Sequence, residues 1–156
     1  MSHEQWIREA VELGRTGLHQ SGGGPFGAVV VANGKIVGRG WNQVTTSLDP
    51  TAHAEVTAIR DACKTLQRFD LRGCDLYASC EPCPMCLAAI YWARLDRVFY
   101  GCTRMDAAEA GFDDEFIYQQ IPLDSSARVL PMAQVGRALA VQLFDDWAVK
   151  ADKLRY

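Results

Sequence analysis

The sequence has no long apolar run. Its most extended uncharged apolar stretch, Phe26 to Ala32, is far shorter than the ~20 residues a helix needs to cross a bilayer. The start, Met1-Ser2-His3-Glu4, brings in acid early and has no basic stretch leading into an apolar one. No secretory leader is therefore expected, and the reducing cytoplasm is the expected compartment, with no membrane partner. Basic runs are missing too. Sixteen Lys and Arg stand against 19 Asp and Glu, a formal charge of −3. A protein that grips several phosphates usually carries a Lys/Arg patch, so the balance argues against a nucleic-acid partner. Repeats, low-complexity tracts and Pro/Ser linkers are also absent. The 156 residues then fit a single domain over 1–156 with a core of its own.

Six cysteines are present: Cys63, Cys74, Cys80, Cys83, Cys86 and Cys102. In a cytosolic chain able to build a core, an even count suggests metal ligation or burial rather than disulfides. Cys63, Cys74 and Cys102 fall in apolar patterns and are expected in the core, with Cys80 beside them.

Helical and strand patterns alternate along the chain. Trp6, Ala10, Val11, Gly14 and Leu18 recur at helical spacing over 5–19. Ser21-Gly22-Gly23-Gly24-Pro25 breaks that helix. Phe26–Val31 and Ile36–Trp41 read as strands joined by a hairpin turn at Asn33-Gly34. A helix is expected to begin near Asp49-Pro50-Thr51, with Asp or Thr as cap and Pro in its first turn. Val56, Ile59, Ala62, Cys63 and Leu66 mark its buried face. Asp75–Ser79 and Arg97–Tyr100 are further strands, separated by a helix that Pro82 and Pro84 introduce. A last helix is expected from about Val135 to Lys150, with Leu139, Leu143 and Trp147 on one face. This alternation predicts an α/β fold with helices packed on a mixed sheet.

Two short motifs carry chemistry, each at an expected helix start: His53-Ala54-Glu55 and Cys80-Glu81-Pro82-Cys83-Pro84-Met85-Cys86. Cys83 and Cys86 are three apart and share a helix face. The free N–H groups and the dipole of a helix N-terminus favour thiolates there. His53 adds a nitrogen ligand, while Glu55 stays near the metal without binding it. Three protein ligands with one open position are the pattern of catalytic zinc, whereas structural zinc closes with four. A carboxylate beside an activated water can move its proton, and the joint pattern H-x-E…P-C-x-x-C is the signature of zinc deaminases. Cys80 as a fourth ligand is the structural-zinc alternative. It would leave Glu55 without a role.

These residues resemble the cytidine and deoxycytidylate deaminase superfamily and, within it, are similar to the bacterial guanine deaminases. The resemblance extends through Gly23-Gly24-Pro25-Phe26-Gly27-Ala28, Asn42, Asp49–Val56, Ser79–Cys86 and Ala89–Arg94. It continues through Ala107–Asp114 and Phe116-Ile117-Tyr118, with Tyr156 as a further echo. It implies the three-layer α/β/α fold of cytidine deaminases and one Zn²⁺ per chain on His53, Cys83 and Cys86. It further implies Glu55 as proton shuttle, Asn42 bonded to the base and the backbone of Ala54 against the reacting centre. Phe26 and Trp92 would be aromatic walls, Trp92 from a second subunit. Asp114 would read the edge of guanine, with Tyr156 also contacting substrate. A homodimer with swapped C-terminal segments and a place in purine catabolism follow from the same likeness.

The expected reaction is hydrolysis of guanine to xanthine and ammonia. Three rivals stay open at this point. A tRNA adenosine deaminase shares both motifs but needs cations around its pocket, and residues 103–156 carry six basic against nine acidic side chains. A deaminase of cytosine, of cytidine or of another aminated heterocycle is the second. A non-enzymatic module held together by zinc is the third, and metal removal would unfold it.

Overall fold

The computed structural model describes residues 2–155. They fall into two compact units, the first ending at Asp114 and the second beginning at Glu115.

The first unit is built on a four-stranded sheet of order β2-β1-β3-β4. β1 (Gly27–Ala32) and β2 (Lys35–Trp41) form the expected hairpin. Its turn residues Asn33 and Gly34 take φ of 50° and 70°, the paired positive values of a type I′ turn. β1 also pairs antiparallel with β3 (Cys74–Cys80), and β3 pairs parallel with β4 (Arg97–Cys102). The sheet is therefore mixed, as the alternation of elements predicts.

Central β1 is buried over Gly27–Val31 and reads as one continuous apolar run, because helices cover both its faces. Val29 and Val31 join Trp6 and Tyr77 beneath α1 (His3–Ser21). Ala28 and Val30 join Ala54, Ala58, Leu76 and Ile90 on the opposite face, beneath α3 (Ala54–Leu66) and α4 (Pro84–Ala93). The result is the α/β/α layering of the cytidine-deaminase fold.

Several local expectations are corrected. α1 starts at His3, because Ser2 and Gln5 close a capping box. Its buried side carries Gly17 rather than Leu18, and Leu18 is exposed. A short helix, α2 (Val44–Ser47), has no marker in the sequence. Asp49 does not begin α3. Its carboxylate accepts from the Thr51 N–H at 2.8 Å and the Thr51 hydroxyl at 2.6 Å, closing a separate turn. α3 starts only after His53.

The inward face of α3 is also narrower than its larger apolar residues suggest. Ala54, Ala58 and Ala62 are buried, while Val56 is half-exposed. A Cβ on Gly40 would lie 2.1 Å from the Ala54 carbonyl oxygen, and one on Gly38 would lie 2.3 Å from that of Ala58. Helix and strand thus touch backbone to backbone, and only small residues fit between them.

Cys74 and Cys80 are buried as expected, Cys63 is half-buried and Cys102 is exposed. Cys102 closes β4, an edge strand whose last three residues lie open. α5 (Arg104–Glu109) follows it.

The second unit holds α6 (Glu115–Gln120), a 3-10 turn at Ser125–Ala127 and α7 (Arg137–Val149). Arg128 ties it together by donating to the carbonyls of Leu123 at 3.1 Å and Ile121 at 3.2 Å. Neither α6 nor α7 contains a buried residue. The expected face of Leu139, Leu143 and Trp147 is there, and all three are exposed. Among the described residues, no helix is long and apolar enough to cross a membrane.

Candidate metal centre and base pocket

His53 and Cys83 have the same local construction. Each is the N-cap of its helix, in extended conformation, with no side-chain capping bond: φ −67° and ψ 159° for His53, φ −65° and ψ 168° for Cys83. A histidine or cysteine is a poor cap, so both side chains are free to turn toward one another. Pro84 occupies the first helical position, where its missing N–H costs nothing. Cys86 follows one turn on. The N-termini of α3 and α4 thereby converge on one point, and their partial positive charge favours thiolate there.

The ligand atoms of His53, Cys83 and Cys86 lie within 4.8 Å of one another. Nδ1 of His53 is 3.5 Å from Sγ of Cys83 and 3.6 Å from Sγ of Cys86. A tetrahedral zinc ion, with Zn–S of about 2.3 Å and Zn–N of about 2.0–2.1 Å, sets S and N about 3.5–3.6 Å apart. The donor set and its spacing fit zinc.

The two thiols are inequivalent. The hydrogen bond from Cys86 pulls Cys83 well below the usual thiol range, while the same bond, with burial, pushes Cys86 up. A cation would relieve this forced sharing of one proton. The bond to Cys83 also raises the His53 imidazole.

Cys80 stands apart from the cluster. Its thiol faces the Thr103 carbonyl at 3.5 Å, and burial, then Cys102, pushes it up to about 11. It is set up as a protonated core thiol. The described residues offer no fourth Cys, His, Asp or Glu to the three-membered group.

Glu55 sits in the first turn of α3 and is 8% exposed. Burial raises its carboxyl above the usual carboxylate range, with the Cys83 charge adding to the effect. Its Oε2 lies 3.5 Å from Sγ of Cys86. A buried carboxylate thus borders the ligand cluster without joining it. Ala54, at the first position of α3, is 1% exposed. Its N–H has no acceptor within its own helix.

Asn42 follows β2 and is 8% exposed. Its Oδ1 accepts from the backbone N–H groups of Gly24 at 3.2 Å and Val44 at 3.3 Å. Those bonds occupy both oxygen lone pairs and leave the Nδ2 hydrogens as the only polar groups it can offer a ligand. Phe26 is half-buried, and Phe112 meets it edge-on at 4.9 Å between ring centroids. Nothing in the sequence marks that contact, since 86 positions separate the partners. Asp114 is half-buried while Asp113 is exposed. Burial first, then the Cys83 charge, raises the Asp114 carboxyl, and Arg104 opposes this. Its charge is therefore felt at the cluster.

Trp92, on α4, is 65% exposed. Tyr156 lies outside the described residues. A separate open cleft of about 420 Å³, lined by Arg39, Trp41, Arg60 and Lys64 among others, contains none of these candidate residues.

Comparison with known proteins places the chain in a family. Residues 1–102 match the family described as the cytidine and deoxycytidylate deaminase zinc-binding region, and the chain belongs to that family of zinc-dependent deaminases. It is 53% identical to the guanine deaminase of Bacillus subtilis over 156 residues, the full length of both proteins. The X-ray structure of the Bacillus subtilis guanine deaminase superposes with a TM-score of 0.97, covering 100% of this chain and 99% of that one. A guanine deaminase from Nitrosomonas europaea is 30% identical with a TM-score of 0.68, over 72% of this chain and 65% of that one. The tRNA-specific adenosine deaminase of Agrobacterium fabrum is 48% identical, over 49% of this chain and 51% of its own length.

Proposed function

We infer that this chain hydrolyses guanine to xanthine and ammonia. One observation carries the reading: a buried carboxylate, Glu55, borders a three-ligand His/Cys/Cys cluster without joining it. The full-length likeness to a guanine deaminase selects the base. His53, Cys83 and Cys86 hold one zinc ion, which when bound supplies the Lewis acidity that makes water a nucleophile near neutral pH.

As the water oxygen bonds to C2, Glu55 takes one of its protons and delivers it to the ring nitrogen beside C2. The same carboxylate then takes the remaining proton from the new C2 hydroxyl and passes it to the amine, so the C2–N bond breaks, ammonia departs and the C2 carbonyl of xanthine forms. Burial suits Glu55 to both roles, because a carboxyl raised above the usual range takes a proton more readily than it would in water and still carries one to donate at a higher pH. Asn42 donates from Nδ2 to an acceptor on the base. Ala54 turns its first-turn N–H toward the reacting centre. Phe26, braced by Phe112, forms an apolar wall, and Asp114 accepts from the N–H groups on guanine's edge.

The functional form is a cytoplasmic homodimer acting in purine catabolism, with the C-terminal segment exchanged between subunits and Tyr156 and Trp92 reaching substrate through that assembly. Supporting this, Leu139 and Leu143 of α7 and Tyr91 and Trp92 of α4 are each at least 65% exposed. Apolar surface of this extent usually marks a partner. A free base needs no phosphate contacts, and no nucleic-acid partner is assigned.

Ammonia release from a panel of free bases, nucleosides and a tRNA anticodon stem-loop tests the assignment. Guanine is expected to be turned over in preference to all others. Deamination of the stem-loop without turnover of guanine overturns it.

A further inference from the structure

Glu81 has no part in the chemistry described so far, yet it joins two pieces of the pocket. It immediately follows β3 and precedes Cys83 by two residues. Its N–H donates to the Cys102 carbonyl at 2.9 Å, extending the β3–β4 ladder by one rung. Its Oε2 accepts from the backbone N–H of Arg104 at 3.0 Å. Arg104 is the first residue of α5, and its N–H has no acceptor within that helix.

From that anchor the chain runs straight into the pocket. Thr103 and Asp106 close a capping box on α5. The Phe112 N–H donates to the Ala107 carbonyl at 2.9 Å, folding the segment back after Gly111. Phe112 then meets Phe26 edge-on, and the half-buried Asp114 follows two residues on. The arm carrying both groups is therefore fixed at its root by the Glu81 carboxylate, on the strand end that also leads to the metal ligands.

We propose that Glu81 is a positioning residue for the base: its carboxylate, bonded to the Arg104 N–H, sets where Phe112 and Asp114 stand relative to the metal cluster. The proposal rests on the guanine reading. It concerns binding of the base, so its signature is a change in KM with little change in kcat. A merely structural role would lower the folded, active fraction and hence apparent kcat, leaving KM alone.

The test uses zinc-loaded full-length protein. Glu81→Ala should raise KM for guanine about tenfold, the effect of leaving one partly buried donor unpaired. Its kcat and zinc content should stay within about threefold of wild type. Glu81→Gln keeps an acceptor oxygen and should restore KM to within a similar margin.

A backbone substitution makes the same test without touching Glu81. Position 104 is the first of its helix, and Thr103 is already extended at ψ 167°, so proline fits there. Arg104→Pro removes the N–H, and Arg104→Ala keeps it. The proline variant should show about tenfold higher KM than the alanine variant, and that ratio should fall to about one when Glu81 is also Ala. Equal KM in the two Arg104 variants, or unchanged KM in Glu81→Ala, overturns the proposal. No guanine turnover by the unsubstituted protein is instead a failure of the guanine reading.

Discussion

Oε2 of Glu55 and Sγ of Cys86 lie 3.5 Å apart, on the first turns of two helices that converge on the same point. The contact puts a buried carboxylate one atom away from a candidate ligand while its own oxygens stay outside the ligand set. Glu55→Gln keeps the shape and removes the proton carrier. Turnover of guanine should fall at least about a hundredfold, the low end for loss of general acid–base catalysis. Zinc measured by mass spectrometry should remain near one per chain. Retained activity would rule out Glu55 as the shuttle.

The three-ligand reading makes a separate prediction about cysteines that sequence spacing alone does not separate. Cys83→Ala and Cys86→Ala should each lose bound zinc and activity together. Cys80→Ala should keep its zinc, because that thiol faces the Thr103 carbonyl rather than the cluster. Zinc loss in Cys80→Ala would restore the structural four-ligand alternative.

Gly40 tests the seam beneath the site. An added Cβ would stand 2.1 Å from the Ala54 carbonyl oxygen and 2.4 Å from the Ala58 nitrogen, both rigid backbone. Gly40→Ala should therefore cost at least about 1–3 kcal/mol, the usual range for overpacking. The thermal midpoint should drop by several degrees. A midpoint unchanged by the substitution would show that α3 and β2 can separate cheaply.

How far the sequence could be read follows from how local each signal is. Cys83-x-x-Cys86 and His53-x-Glu55 lie within single turns, so their spacing carries the chemistry directly. The hairpin at Asn33-Gly34 and the buried run of β1 are equally local. The start of α3 was not legible. Asp49, Pro50 and Thr51 have the residue types of a helix start, but the Asp49 carboxylate closes on Thr51 instead. Ile59 and Ala62 of the expected face of α3 are buried, and Cys63 and Leu66 pack against the core; Ala54 and Ala58 escaped for a tertiary reason, because β2 approaches there through two glycines and leaves room only for alanines. Phe112 on Phe26 and Glu81 on Arg104 join distant segments, one of them through a backbone N–H that any residue but proline supplies. Such contacts leave no pattern to read. Cys102 follows an apolar pattern, yet it ends an uncovered edge strand and is exposed.

The orientation of Asn42 makes its proposed contact with the base testable. With Oδ1 held by the N–H groups of Gly24 and Val44, its side-chain amide has only the Nδ2 hydrogens to offer a ligand. Asn42→Asp keeps the oxygen those N–H groups need and replaces the donor with a second acceptor. The fold should survive, with an unchanged thermal midpoint. The specificity constant for guanine should fall about tenfold to a hundredfold, as expected when a lost hydrogen bond leaves two acceptors facing each other. A variant as active as the parent would show that Asn42 does not touch the base.

The role proposed for Asp114 is the choice of guanine over adenine. Guanine presents N–H donors next to its carbonyl, and an ionised carboxylate is a pure acceptor, so the two form charge-assisted hydrogen bonds. Adenine turns an unprotonated ring nitrogen to the same place, and its lone pair would face those of the carboxylate. The mismatch costs on the order of 1–3 kcal/mol. Asp114→Ala should therefore depress guanine turnover strongly while zinc content and fold persist. Asp113 is the control, because adjacent side chains cannot both turn into one pocket, and here Asp113 is exposed while Asp114 is half-buried. Asp113→Ala should do much less. Greater sensitivity at Asp113 would move the recognition contact by one residue. If neither substitution changes the ratio of guanine to adenine turnover, this arm does not read the base.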